Sequence, residues 1–389
     1  MTLKLLCDAA PWVALLSLVI WIYLLLFRNR FWRADQRLGE AGERAHWPEV
    51  AAVIPARNEA PTIGVTVASL LGQDYPGALT VVVVDDNSDD GTKEIAINAG
   101  EGDARLHVVG GRPLEAGWSG KLWAVSQGIA AAAERAPDAE YLLLTDADIA
   151  HDRGNLKRLV DKAEREGRHL VSLMVMLGAE AFWERWLIPA FVFFFQKLYP
   201  FPAVNDQKSK VAAAAGGCML VRRATLQAAG GIAAIRGALI DDCALARLIK
   251  EKGAIWLGLA TRTRSLRAYG RLSEIWDMVA RTAYVQLDHS PLQLLGTVIG
   301  MALIYLAPPA ALIGGAILAS VPLVAIGGAA WLLMLRAYAP TLRLYRQPAW
   351  HGLVLPLTAG LYTLMTLSSA WRHWRGRGGA WKGRHYGSG

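Results

Sequence analysis

The sequence predicts an α/β domain built on a mostly parallel sheet flanked by helices, with one transmembrane helix before it and further transmembrane helices after it. Short apolar, β-rich runs alternate with helical patterns between residues 46 and 290, as in parallel sheets whose strands are buried on both faces. Long uncharged runs lie on either side of that region. The chain is 53% hydrophobic and only 19% charged, which is less charge than a soluble domain normally carries.

The first uncharged run, Ala9–Phe27, is about 19 residues long and can span a bilayer as a helix. A signal peptide would have a shorter apolar part, basic residues before it and a small-residue cleavage site after it. Here Arg28 and Arg30 follow the run, and no such site is seen. We therefore expect residues 1–30 to form an uncleaved anchor, with the following domain in the cytoplasm.

The central α/β domain is expected over residues 46–290. Its predicted strands are Val50–Pro55, Thr80–Asp85, Tyr141–Thr145 and Val171–Met176, and its clearest predicted helices are Gly120–Arg135 and Asn155–Glu166. Within this domain, residues 181–201 hold many aromatic side chains beside a few charged ones. Such a segment is either a buried core helix or a helix lying in the membrane interface, and the aromatic residues next to charges favour the interfacial helix.

The C-terminal transmembrane region is expected over residues 291–370. Pro291–Leu335 contains no charge and is long enough for a hairpin of two spans with a break near Ser320–Pro322. His351–Ala370 is a candidate third span, followed by a basic tail over residues 371–389. Four full spans would place that tail outside, against the positive-inside rule, so two or three C-terminal helices stay open.

The net charge of +8 does not indicate nucleic-acid binding, because the basic residues cluster beside the apolar runs, where they meet anionic headgroups. The three cysteines, Cys7, Cys218 and Cys243, lack metal-ligand spacing and are expected to be reduced thiols. The candidate spans contain almost no ionisable residues, which disfavours a transporter.

The candidate chemistry lies at the carboxyl ends of the predicted strands, where open parallel sheets bind ligands. Two acids, Asp85 and Asp86, end one strand, and Asp146 and Asp148 follow another. The chain has neither glycine-rich motif that cradles phosphates through backbone amides. Carboxylates holding a hard divalent cation, Mg²⁺ or Mn²⁺, are the alternative means of binding a diphosphate.

Asp146 and Asp148 are expected on an extended segment with both side chains on one face. One of them can coordinate the cation, and the other can accept a hydrogen bond from a ribose hydroxyl. Asp86 can accept the N–H of a pyrimidine or guanine base, although Asp85 and Asp86 also fit ordinary turn chemistry. Asp241 and Asp242 precede a helical pattern, so they are either a general base or an acidic helix start favoured by the macrodipole.

Taken together in this order, these motifs resemble family 2 glycosyltransferases of the GT-A fold over roughly residues 50–290. The matching pieces are Val53–Glu59, Val82–Ser88, Gly120-Lys121, Asp146-Ala147-Asp148, Gly216-Gly217 and Asp241-Asp242. The membrane-flanked layout looks most like the bacterial hopanoid-associated glycosyltransferases, with ceramide glucosyltransferases as more distant relatives. This resemblance implies an integral protein of the bacterial inner membrane with a cytoplasmic catalytic domain.

The resemblance also implies roles for the matched positions. Asp242 corresponds to the catalytic base, with Asp241 in the position of the family's Glu. Asp148 corresponds to a metal ligand, and Asp146 contacts the ribose or the metal-bound phosphate. The remaining donor-binding positions are Pro55, Ala56, Arg57, Glu59, Asp86 and Lys121.

The function implied is transfer of one sugar, with inversion, from a nucleotide-sugar, a UDP-sugar being favoured, to a membrane lipid such as a hopanoid or related polyprenoid. The alternatives are a polyprenyl-phosphate sugar synthase, a ceramide-type glucosyltransferase, or a non-catalytic scaffold that keeps the nucleotide pocket. The Q-x-x-R-W motif of processive relatives and ceramide transferases is absent near Arg281 and Gln286. Its absence weakens a polysaccharide-synthase interpretation and leaves the roles of these two residues open.

Overall fold

The computed structural model describes residues 2–376, 380–381 and 384–385, with side chains described from residue 9 to residue 376. Its centre is an eight-stranded sheet in the order β3-β2-β1-β4-β7-β6-β8-β5. The strands are β1 (Val50–Ala56), β2 (Leu79–Asp85), β3 (Leu106–Gly110), β4 (Tyr141–Thr145), β5 (Ile149–Ala150), β6 (Leu170–Met176), β7 (Cys218–Arg222) and β8 (Ile255–Ser265). A separate two-stranded sheet pairs Ala380–Trp381 with Arg384–His385.

The sheet is parallel from β3 through β4 and between β6 and β8, as expected for the α/β fold. The exception lies in the middle, where β7 runs antiparallel to both of its neighbours, β4 and β6. The short β5 also pairs antiparallel with β8 at the sheet edge. All four predicted strands are confirmed to within one residue at each end.

Helices cover both faces of the sheet and continue into the C-terminal region. They are α1 (Thr2–Leu26), α2 (Ile63–Leu71), α3 (Thr92–Ala99), α4 (Gly120–Arg135), α5 (Asn155–Arg165), α6 (Phe182–Leu198), α7 (Phe201–Asn205), α8 (Arg223–Ala228), α9 (Asp241–Lys250), α10 (Leu272–Ala280), α11 (Pro291–Met301), α12 (Ala307–Ile317), α13 (Val321–Leu344) and α14 (Leu355–Trp374). The predicted helix Gly120–Arg135 has the bounds of α4.

Alternate residues of the central strands pack into two separate hydrophobic cores. Val53 of β1 and Val82 of β2 face the core shared with α4 and α6, while Ile54 and Val83 face the core shared with α2 and α5. This follows from the two-residue period of a strand. Helix α4 lies so close to β1 that a β-carbon at Gly128 would come within 2.4 Å of Val53, so this position excludes any side chain.

Within the described part of the chain, four helices are long and apolar enough to cross a membrane: Ala9–Leu26, Pro291–Ile317, Val321–Leu344 and Ala349–Trp374. The predicted hairpin break near Ser320 is confirmed, since α12 ends at Ile317 and α13 begins at Val321. The third C-terminal candidate is also a helix, α14. In the predicted basic tail, residues 371–389, positions 377–379, 382–383 and 386–389 lie outside the described residues.

The aromatic segment forms α6, which packs against both α13 and α14. Its central residues, including Leu187, Ile188 and Phe193, are fully buried and belong to the same core as one face of the sheet. Phe182 at its start and Leu198 at its end are exposed. Helix α6 therefore joins the sheet core to the C-terminal helices through protein contacts.

Candidate active site

The candidate site lies at the carboxyl ends of the neighbouring parallel strands β1, β2 and β4. Their registers bring Ala56 beside Asp85 and place the end of β4 next to β1. Pro55, Lys121, Asp146, Gly216 and Asp241 line one cleft at this edge. The topology thus brings together residues that are up to 186 positions apart in the sequence.

Lys121 is the centre of an ion-pair cluster in this cleft. Its Nζ lies 2.8 Å from Asp146 Oδ1 and 3.1 Å from Asp241 Oδ2. The lysine is presented from the first turn of α4, whose start is capped by the Ser119 hydroxyl. Burial opposes the charge on Lys121, but the surrounding carboxylates raise the pKa of its ammonium above the ordinary value. Lys121 therefore stays charged and holds the carboxylates together.

Asp242 lies in the first turn of α9 and faces Gly216. One carboxylate oxygen accepts the Gly216 N–H at 3.0 Å, and the other accepts the Cys243 N–H at 2.7 Å. Burial and the neighbouring Asp241 raise the pKa of Asp242 to about 6, while Lys121 opposes the rise. Asp242 is therefore a stronger base than an ordinary aspartate and is still mostly ionised at neutral pH.

The spacing of Asp146 and Asp148 predicts that both lie on one face of an extended segment. The structure differs from this prediction. Residues 146–148 leave β4 and form a turn into β5. The two carboxylates pair with different cations, Asp146 with Lys121 and Asp148 with Arg267. The spacing of the two acids fits strand geometry because β4 directly precedes them, and the two-residue β5 has no sequence pattern that would reveal the turn.

Arg267 is a residue of this site that the sequence analysis did not identify. Its guanidinium bridges two carboxylates, with Nη2 2.9 Å from Glu59 Oε1 and Nε 2.9 Å from Asp148 Oδ2. Burial opposes its charge, but Asp148 and Glu59 raise the pKa of Arg267 further. The sequence gives only a weak indication that Arg267 belongs to the site. It follows β8 in a segment that also holds Arg262 and Arg264, and no motif distinguishes it from them.

Asp86 is buried at the end of β2, on the far side of β1 from Lys121. Its backbone N–H donates to the Ala56 carbonyl at 2.8 Å, and the Arg57 guanidinium lies 3.7 Å from its carboxylate. A β-carbon at Gly111 would come within 3.1 Å of the Asp86 Cα, so the backbone after β3 closes tightly over this carboxylate. Asp86, predicted to bind the base, therefore contacts Ala56 and Arg57, two further predicted donor-binding residues, at the ends of β1 and β2.

A metal ion would find suitable donors here, although the described residues contain no group of three or more His, Cys, Asp or Glu side chains placed to hold one. Asp146 and Asp148 supply hard carboxylate oxygens, and Mg²⁺ sites of this kind use one or two carboxylates together with substrate phosphates and water. Each carboxylate is now paired with a protein cation. The donor set fits a divalent cation once those pairs open.

Gln286, whose role the sequence left open, contacts the end of α6. Its Oε1 accepts a hydrogen bond from the Tyr199 hydroxyl at 2.8 Å. Burial raises the pKa of Tyr199, and the Cys243 thiol next to Asp242 contributes to that rise. Gln286 and Tyr199 therefore connect the aromatic helix to the start of α9. Cys218 and Cys243 are free and buried, as expected for reduced thiols.

Residues 51–230 match the family model described as glycosyl transferase family 2. A comparison with curated protein sequences gave no match. Among solved structures, a mannosyltransferase from Pyrobaculum calidifontis in complex with GDP-Man and Mn²⁺ is 18% identical with a TM-score of 0.54, and the alignment covers 94% of this chain and 99% of that one.

Two further solved structures superpose less well. Mannosyl-3-phosphoglycerate synthase from Rubrobacter xylanophilus is 19% identical, with a TM-score of 0.40 and coverage of 70% of this chain and 80% of that one. Glucosyl-3-phosphoglycerate synthase from Mycobacterium tuberculosis, in complex with uridine diphosphate, is 20% identical, with a TM-score of 0.40 and coverage of 65% and 87%. The likeness to the Pyrobaculum calidifontis structure, at 18% identity, shows a shared fold alone. The chain carries a glycosyl transferase family 2 domain over residues 51–230, within a GT-A-like fold, and is a glycosyltransferase.

Proposed function

We propose that this glycosyltransferase is membrane-bound and transfers one sugar, with inversion, from a nucleotide-sugar to a lipid acceptor, a hopanoid or related polyprenoid. The observation that carries the proposal is the half-buried cluster of Asp242, Asp241, Lys121 and Asp146 in the cleft at this edge of the sheet. It combines one carboxylate of raised pKa with a fixed cation, which suits base-assisted transfer to a hydroxyl.

Asp242 is the proposed general base. The acceptor hydroxyl gives its proton to the Asp242 carboxylate while the acceptor oxygen forms a bond to the anomeric carbon. The bond from that carbon to the donor's diphosphate breaks, and its electron pair leaves with the nucleoside diphosphate. One displacement inverts the anomeric configuration. A retaining route would need a covalent nucleophile, and Asp241 is already engaged by Lys121.

The donor would lie across the site with its base near Asp86 and its ribose or phosphates near Asp146. Glu59 and Arg57 would line the base pocket, and Lys121 would lie near the diphosphate. Asp148, with Asp146, would hold Mg²⁺ or Mn²⁺, which when bound neutralises charge that develops on the leaving diphosphate. A UDP-sugar is the favoured donor. The Pyrobaculum calidifontis structure contains GDP-Man, so GDP-mannose is the competing donor to test.

The lipid acceptor is proposed from the four apolar helices and the position of α6. These helices are long enough to hold the enzyme in a bilayer. Helix α6 runs from the C-terminal helices to Tyr199, which lies beside Cys243 in the first turn of α9. A lipid that reaches the protein along α6 would therefore approach the turn that carries Asp242.

The proposal is tested by comparing membrane lipids by mass spectrometry from cells with the protein, without it, and with Asp242→Asn. Wild-type cells should show a neutral lipid enlarged by a hexose-sized mass, and the other two should not. In vitro, Asp242→Asn should lower kcat by about 10²–10⁴-fold with little change in donor binding.

Three results would contradict the proposal. One is an unchanged lipid profile, and another is near-normal turnover of Asp242→Asn. The third is a product that retains the donor's anomeric configuration. An acid-labile phosphodiester product would identify a polyprenyl phosphate as the acceptor instead, and a glycosylated sphingolipid would identify a ceramide.

A further inference from the structure

A short π-helical segment, Ala302–Leu306, joins α11 to α12 within one candidate span. Such widened turns leave backbone carbonyls without their usual helical partners and often mark functional sites. Two side chains of α1 complete the hydrogen bonding here. Ser17 Oγ donates to the Leu303 carbonyl at 2.6 Å, and Trp21 Nε1 donates to the Ile304 carbonyl at 2.7 Å. Helix α1 therefore fixes the widened turn in place.

The widened turn carries Tyr305, whose ring underlies a lysine of α6. The Lys197 ammonium lies 4.6 Å from the centroid of the Tyr305 ring and 5.7 Å from that of Phe194. The Arg28 guanidinium, just after α1, donates to the carbonyls of Lys197 and Leu198 at 3.3 Å each. The Arg28 guanidinium thus lies at the end of α6, the Lys197 ammonium lies against the π-helical segment, and each charge repels the other; we call these residues the Arg28–Lys197 pair.

No carboxylate of residues 9–376 balances the charge of this pair. Among the described residues, neither side chain forms an ion pair with a carboxylate. Burial and the neighbouring Arg28 lower the pKa of Lys197 to about 8. Two adjacent, partly desolvated cations are costly unless an anion joins them. The chemistry of the pair therefore calls for an anionic group that accepts hydrogen bonds from both.

The rim around the pair is apolar. Phe27, Leu198 and Leu306, which adjoin Arg28, Lys197 and Tyr305 in the chain, are 68%, 46% and 42% exposed. Phe27 also stacks with Tyr23, which is exposed as well. A soluble anion would gain nothing from this rim, whereas an amphiphile would place its charged head on the cations and its chains against the apolar side chains.

We propose that the Arg28–Lys197 pair is a binding site for the phosphate of an anionic phospholipid, docked where α1, α6 and the π-helical segment meet. Arg and Lys are the side chains that bind phosphate best, through charge-assisted hydrogen bonds. The bound lipid would seat the end of α6 at the membrane boundary. The proposal rests on the membrane placement proposed above, but not on the sugar, the donor or the acceptor.

The test uses the full-length protein in neutral detergent micelles, without sugar donor. Bound lipid is measured by native mass spectrometry, and thermal unfolding is recorded during titration with phosphatidylglycerol, with phosphatidylcholine of the same chains, or with inorganic phosphate. Wild-type protein should bind phosphatidylglycerol preferentially and be stabilised by it. Lys197→Met and Arg28→Gln should each weaken that binding by about tenfold or more, the usual effect of losing a hydrogen bond to a charged group.

Two control variants separate a site from general surface charge. Arg30→Gln removes an equal charge from an exposed residue close to Arg28, so phosphatidylglycerol should bind as to wild type. Lys197→Arg keeps the charge and should retain the preference, which also shows that the position tolerates change.

Three results would overturn the proposal. The two lipids could bind wild-type protein equally, or Arg30→Gln could lose as much affinity as Lys197→Met. Inorganic phosphate could also bind as tightly as phosphatidylglycerol and displace it, which would make this a site for free phosphate. Because no turnover is measured, a wrong assignment of the catalytic function would leave these results unchanged.

Discussion

The Asp242 carboxylate lies against Asp241 and near Lys121, and these neighbours act on it in opposite directions. Burial and Asp241 disfavour its ionised form, Lys121 favours it, and the balance puts its pKa at about 6. A general base must be deprotonated in the free enzyme, so its fraction in the active form rises with pH through that value.

We therefore expect kcat/KM to be constant above about pH 7 and to fall about tenfold per pH unit well below the Asp242 pKa of about 6. Initial rates at limiting donor concentration between pH 5 and pH 8 measure this acidic fall in kcat/KM. The residual rate of Asp242→Asn should lack it. A wild-type profile that stays flat down to pH 5 would rule out Asp242 as the titrating base.

Arg267 holds together two carboxylates proposed to serve the donor, Glu59 and Asp148. Without the guanidinium, the two side chains lose their common partner and their fixed positions. We expect Arg267→Ala to weaken donor binding by about ten- to a hundredfold, since charged hydrogen bonds are worth about 1.5–3 kcal/mol. Isothermal titration with the nucleotide-sugar measures this.

The matched control for Arg267 is Arg264→Ala. Arg264 is exposed and belongs to β8, and its substitution by alanine removes the same charge. It should leave donor affinity within about twofold of wild type, because exposed charges contribute little. Equal losses in both variants would indicate that overall charge, rather than the bridge to Glu59 and Asp148, supports donor binding.

At the level of elements, α6 is tied to the loop that carries Arg267 by one buried carboxylate. Glu184 Oε1 accepts the Tyr269 N–H at 2.6 Å, and Oε2 accepts those of Glu180 and Ala181 at 3.1 and 2.9 Å. We expect Glu184→Ala to lower the free energy of unfolding by about 1–3 kcal/mol, since buried N–H groups lose their acceptor. Thermal unfolding in detergent measures the loss.

Glu180→Ala is the control for Glu184, because Glu180 is exposed and lies four positions earlier, just before α6 begins. Its substitution should change the free energy of unfolding by less than about 0.5 kcal/mol. If Glu184→Ala changes the free energy of unfolding as little as Glu180→Ala does, the three N–H groups must find other acceptors, and α6 does not depend on this carboxylate.

The turn between β4 and β5 presents the proposed metal ligands, Asp146 and Asp148, to the cleft. Because no glycine-rich phosphate loop is present in the sequence, we expect turnover to require a divalent cation. EDTA should abolish sugar transfer, Mg²⁺ or Mn²⁺ should restore it, and Asp148→Ala should weaken metal-supported donor binding. Full activity after metal stripping would contradict this expectation.

At the level of the whole molecule, the helices from the two ends of the chain form one assembly. Helix α1 packs against α12 and α13, and the hydrogen bonds of Ser17 and Trp21 join it to the π-helical segment. Its basic flank after Phe27 predicts that the chain enters the cytoplasm there. The catalytic domain would then face the cytoplasmic pool of nucleotide-sugars.

We expect reporter fusions at Asp103 and Asp206 to give cytoplasmic signals, because both residues follow the basic flank and precede the next candidate span. Paired alkaline phosphatase and green fluorescent protein fusions give opposite signals on the two sides of the membrane. A periplasmic signal at either position would reverse the proposed orientation.

Elements whose pattern lies within their own residues are predictable from the sequence. Helix α4 was predicted with its observed bounds because its pattern and its start are encoded within residues 120–135. The strands β1, β2, β4 and β6 were predicted because they are continuous apolar runs bounded by turn residues. The acids at the strand ends followed from the same reasoning, since parallel strands end at one edge.

Which of these side chains meet depends on contacts between residues far apart in the sequence. Arg267 pairs with Asp148, which is 119 positions earlier in the sequence. Strand β7 enters the sheet antiparallel between β4 and β6. Neither arrangement is indicated by a pattern in the neighbouring residues. The aromatic pattern of α6 likewise could not tell a protein core from a membrane interface, because both are apolar. Local patterns record the polarity of a residue's surroundings, whereas only the folded chain specifies which atoms provide them.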